Sequence, residues 1–179
     1  MADLAIKDLT TVIASGITAI ATLSAVVIAN LFNARITRAN VESAERQKRL
    51  DFRLSKLEEF YLLFERWEMA FVQVCLFHYR GYLGELSFRQ VLDLTQSDKT
   101  LAPGEFQKLM MLMRIHFRQF IVDHEEVEAA RRNAARFLHD PARTRLTADE
   151  FFAAQQRFDA ACAIFKEKIA TNARALDGS

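Results

Sequence analysis

The residues of this chain best suited to chemistry lie between His124 and His139. Arg132-Asn133 is followed by His139, with six residues between the arginine and the histidine. A fixed cation can neutralise a phosphate, and an imidazole titrating near neutrality can move a proton, so the pair suits phosphoryl and general acid/base chemistry. A second arginine–histidine pair, Arg118 and His124, has five residues between them. His124 and Glu128 share a helical face, although two such residues on a charged surface do not make a metal site. There is no HExxH, and no histidine has a glutamate three residues before it, so a di-iron bundle is disfavoured. Five scattered glycines cannot build a phosphate-binding loop, and no nucleophile elbow occurs. Cys75 and Cys162 lack CxxC spacing and read as reduced core thiols. The reading therefore includes no metal and no cofactor.

The Arg132-Asn133 and His139 arrangement resembles the Arg-x(4–6)-His signature of HEPN ribonucleases. The resemblance implies an all-helical fold in which two such motifs pair across a dimer. It also implies that Arg132, Asn133 and His139 act at a scissile phosphate and ribose hydroxyl, with RNA as the partner. A small protein with one N-terminal span and a HEPN-like domain also resembles the membrane accessory proteins of type VI-B CRISPR systems. That likeness implies membrane rings supporting antiviral defence, with or without retained chemistry. Read without the resemblance, Arg131, Arg132, Arg136 and His139 near a helix C-terminus simply complement its dipole.

The elements around these residues are legible from patterning. The chain has 179 residues and a formal charge of +1, which gives no general case for nucleic-acid binding. Its aromatics are 15 Phe against 3 Tyr and 1 Trp, an inventory for packing rather than for polar recognition. With 5 Gly and 2 Pro, few long helices are expected, and the fold class is all-α.

No charge interrupts the run from Leu9 to Phe32, which is long enough as a helix to cross roughly 30 Å of hydrocarbon. Its acidic start and its length argue against a cleaved signal peptide, and its Ala, Ser, Thr and Gly content keeps a buried soluble helix in play. Arg35, Arg38, Arg46, Lys48, Arg49 and Arg53 follow the run, whereas Lys7 alone precedes it, so the large domain is expected on the cytoplasmic side of a bacterial inner membrane, with the N-terminus outside. Ser15, Thr18, Thr22, Ala25 and Ala29 share one face of the span. Small residues let membrane helices approach closely, so this face predicts self-association, with pore lining as the alternative.

The expected organisation is an external N-terminus over 1–8, a span over 9–32, a charged stalk over 33–49 and an antiparallel bundle of three or four helices over 50–176. Leu54, Leu57, Tyr61, Phe64, Phe71 and Cys75 form one stripe, with Phe60, Leu63, Trp67, Val74 and Phe77 beside it, so burial on more than one side is expected. Ser87–Gln90 and Thr147–Glu150 read as capping boxes. Between them, 105–139 reads as one uninterrupted helix with Phe106, Met110, Met113, Phe117, Phe120, Val127, Ala134 and Phe137 facing the core, stopped by Asp140-Pro141. The last helix carries Phe151, Phe158, Cys162, Phe165, Ile169 and Leu176.

Three functions follow as expectations: a non-enzymatic, self-associating membrane module that scaffolds or gates; a membrane-tethered ribonuclease; and an anchor or sensor for a soluble protein partner. The partners expected throughout are the lipid bilayer and further copies of the chain.

Overall fold

The computed structural model describes the backbone of Ala2–Ser97 and Thr100–Asp177, and the side chains of Val26, 29–97 and 100–176. Every regular element among the described residues is helical. They are α1 (Ala2–Tyr82), α2 (Phe88–Ser97), α3 (Glu105–His116), α4 (Ile121–Ala135) and α5 (Ala148–Asp177). Two short 3-10 turns, Arg118–Phe120 and Pro141–Arg143, join α3 to α4 and α4 to α5. The chain divides into two compact units, Met1–Arg49 and Leu50–Ser179.

In the first unit, each residue from Ala29 to Arg49 is exposed, including Leu31, Phe32, Ile36 and Val41. Among the described residues no helix is long and apolar enough to cross a membrane. The expected span, 9–32, lies outside the residues with described side chains except at Val26 and 29–32.

The second unit is a bundle built on Phe. Phe60, Phe64, Phe117, Phe151, Phe158 and Phe165 are each almost fully enclosed. Phe60 is the hub of the larger core: its ring meets Phe117 at 5.5 Å, Phe120 at 6.0 Å and Phe165 at 6.2 Å. Such aromatic contacts add about 0.5–1.5 kcal/mol beyond area burial. A smaller core gathers Cys75, Ala134, Phe137, Phe151 and Ala154. Both expected stripes of α1 contribute to this interior, since Leu57, Phe60, Leu63, Phe64, Trp67 and Cys75 are all buried by the unit's own helices. Burial of the two stripes therefore needs no second chain.

The helix ends follow their local chemistry. Gly84 takes φ 75° just past α1, a left-handed turn that favours glycine. Ser87 and Gln90 exchange the reciprocal bonds of a capping box, as the Ser87 N–H donates to Gln90 Oε1 at 2.9 Å and the Gln90 N–H donates to Ser87 Oγ at 3.4 Å. Thr147 and Glu150 do the same at 2.8 and 3.2 Å, opening α5.

The expected single helix over 105–139 is corrected in two places. It breaks at Phe117, whose φ of −132° and ψ of 48° leave the helical region, and it stops at Ala135 rather than His139. No Gly or Pro announces the first break. Packing causes it, because Phe117 and Phe120 are both buried against Phe60 and the change of direction between them lets both rings enter one core. The core face of α3 is corrected as well. Leu109 and Leu112 are buried beside Met113, while Phe106 turns partly outward over Trp67 at 6.3 Å.

Candidate functional site

Helix α4 brings most of the reactive side chains to one surface. Ile121, His124, Glu125, Glu128 and Arg132 recur at three- and four-residue steps, which stack on one helical face. With Phe106, Met110, Met113 and Arg114 of α3 they line a groove of ≈ 320 Å³.

His124 forms the floor. Only 4% of it is exposed, and its ring packs against Trp67 at 6.0 Å and Phe165 at 5.8 Å. Its Nε2 has no hydrogen-bond partner. Burial holds its pKa below the ordinary histidine value; Glu128 and Glu125 oppose that shift, and Arg131 adds to it. The imidazole is therefore neutral at neutral pH.

The acids beside it are not equivalent. Arg131 Nε donates to both carboxylate oxygens of Glu128, at 3.1 and 3.0 Å, and its guanidinium lies over the Phe71 ring at 5.7 Å. That bond engages the charge of Glu128. Arg132 is exposed and, among the described residues, forms no hydrogen bond or ion pair. The groove thus sets the cations Arg114 and Arg132 and the carboxylates Glu125 and Glu128 around a neutral buried imidazole, on walls of Met and Phe.

No family model, curated protein or solved structure matches the chain.

Of the residues singled out from the sequence, Arg132 lines the groove and His139 does not. Had the helix run on to residue 139, the seven-residue step would have set both on one face. Because α4 ends at Ala135, His139 lies beyond it, near enough to the buried His78 that its charge further lowers a His78 pKa depressed mainly by burial. Asp140 accepts from the Ala142 N–H at 3.1 Å and opens the 3-10 turn after it. Asn133 is half-buried on a neighbouring face of α4. Among the described residues no group of three or more His, Cys, Asp or Glu could hold a metal ion.

Of the residues expected to mediate association, Ser15, Thr18, Thr22 and Ala25 lie outside the described side chains, and Ala29 is exposed.

A further feature, not read from the sequence, is a third line on α1. Leu62, Met69 and Leu76, with Leu83 just past the helix end, are 55%, 61%, 47% and 50% exposed. Their seven-residue spacing is the signal that reveals them. Beside this line, between α1 and α5, lies an apolar groove of ≈ 330 Å³ walled by Leu54, Leu57, Tyr61, Leu62, Ile169 and Ala173.

Proposed function

We propose that the chain is a membrane-anchored helical module that associates with its own copies and acts as a scaffold or gate rather than as an enzyme. The observation that carries this reading is the exposed line Leu62, Met69, Leu76 and Leu83 on a bundle whose interior is already complete. Apolar side chains at every seventh residue supply one of the two positions per heptad through which like helices pack. The membrane anchor is the uncharged sequence 9–32 as a transmembrane helix, and the cations from Arg35 onward set its orientation, with the bundle on the cytoplasmic side. Ser15, Thr18, Thr22, Ala25 and Ala29 would supply a second contact within the bilayer. The test is the mass of the full chain in mild detergent. A discrete multimer supports the proposal, and a monomer at every concentration removes it.

A second reading is a ribonuclease, favoured by the unpaired Arg132 over the groove. The imidazole that shares the arginine's groove is His124, not His139. RNA cleavage lost in Arg132→Ala would support it, and cleavage indifferent to that change would end it.

A further inference from the structure

Three neutral donor side chains line the groove shared by α3 and α4: the thioethers of Met110 and Met113 and the imidazole of His124. Met110 and Met113 stand three residues apart on α3, so they share one face of that helix. Met113 is buried and Met110 half-buried, whereas Met111 turns outward at 49% exposure and does not line the groove. His124 comes from the first turn of α4. Its Nε2 is enclosed without a hydrogen-bond partner, and the ring is held in the neutral form that ligates metals. Trp67 and Phe165 pack against that ring and hold it in place.

The chemistry of the three donors narrows what could use them together. A thioether is a weak hydrogen-bond acceptor, so a polar organic molecule gains little from the two sulfurs. Hard cations such as magnesium and calcium call for several oxygens, and zinc for thiolate, imidazole or carboxylate. The carboxylates of the groove are Glu125 and Glu128, and Arg131 already engages Glu128. Thioether and imidazole together suit a soft ion, copper(I). Charge points the same way. Arg114 and Arg132 balance Glu125 and Glu128, so an ion held by neutral donors adds its whole charge to the site. One such charge is easier to bury than two. We propose that Met110 Sδ, Met113 Sδ and His124 Nε2 together hold one copper(I) ion. The site needs neither the membrane anchor nor the self-association proposed above.

The experiment titrates silver(I), a redox-stable ion of the same charge and softness, into the full chain in mild detergent. Isotope labels on the methionine methyls and histidine nitrogens are followed by NMR. One ion per chain is expected, moving the signals of Met110, Met113 and His124 and leaving those of Met69 and Met111 in place. Met110→Leu with Met113→Leu keeps the core volume, so the melting temperature should hold. Its affinity for silver(I), and for copper(I) measured against a chelator under reducing conditions, should fall about a hundredfold or more. Met111→Leu should change neither affinity, and zinc(II) should move none of the three signals. Silver(I) that leaves the signals of Met110, Met113 and His124 unmoved overturns the proposal, as does an equal response to zinc(II). Undiminished binding by the double leucine variant overturns it too, and places the ion on the buried thiols of Cys75 and Cys162.

Discussion

Replacing Met69 and Leu76 together by Gln tests the exposed line on α1 where the reasoning is most quantitative. Burying a large aliphatic side chain in full is worth about 1.5–3 kcal/mol. Met69 and Leu76 are 61% and 47% exposed, so about half of each gain is still to be made, or ~1 kcal/mol per side chain. A two-fold contact contains each position twice, and the double substitution therefore removes ~4 kcal/mol from association. At 1.4 kcal/mol per decade that is about a thousandfold in the dissociation constant. The folded bundle should hardly notice, since exposed substitutions usually stay within about 0.5 kcal/mol and Gln is as good a helix former as Met. The contrasting change is Leu63→Gln, one position away from Leu62 and 6% exposed. That variant should lose about 2–5 kcal/mol of stability through lost packing and a buried amide. The assay is light scattering with detergent subtracted, beside thermal unfolding of the same samples. The reasoning fails if the double variant keeps the wild-type mass, or if its melting point falls as far as that of Leu63→Gln.

Other predictions follow from the interior. Phe60→Ala should cost about 3–5 kcal/mol, measured by chemical denaturation, because three rings close on it; a loss below about 1 kcal/mol would show that Phe60 is not the hub. Burial pushes the Cys75 thiol up to about 12 and raises Cys162 too, so neither should react with a thiol reagent at neutral pH until the bundle unfolds. His78 and His124 are held below the ordinary histidine value, chiefly by burial, so the unfolded chain binds more protons than the folded one as pH falls. Stability should therefore be complete above about pH 6.5 and decline below it, and His124→Gln should flatten that slope in melts across pH 5–7. Thr147→Ala should cost about 1 kcal/mol by unbinding the N-terminus of α5.

What could be read in the sequence was what local chemistry decides. The two capping boxes formed as written because their bonds close within four residues. The last helix turned the expected Phe151, Phe158, Cys162, Phe165 and Ile169 inward, since a regular period over a long helix has one solution. The break at Phe117 was hidden, because it satisfies two rings meeting Phe60 from a distant part of the chain and leaves no turn residue behind. The early stop at Ala135 took His139 off the helix that carries Arg132, and left Arg132 in a groove with His124 instead. Phe106 misled as a core residue because hydrophobicity alone cannot tell which of Phe106, Leu109 and Leu112 faces inward until α3 has a neighbour. The meeting of Met110 and Met113 with His124 could not be foreseen, as they belong to two helices where the sequence reads as one.

Self-association is the central claim, and the most direct test is the mass of the full-length chain solubilised in mild detergent, by light scattering or single-molecule mass with the detergent subtracted. The account predicts a discrete multimer that dissociates in the Met69→Gln, Leu76→Gln variant while the fold is retained. A monodisperse monomer over the whole accessible concentration range would contradict it.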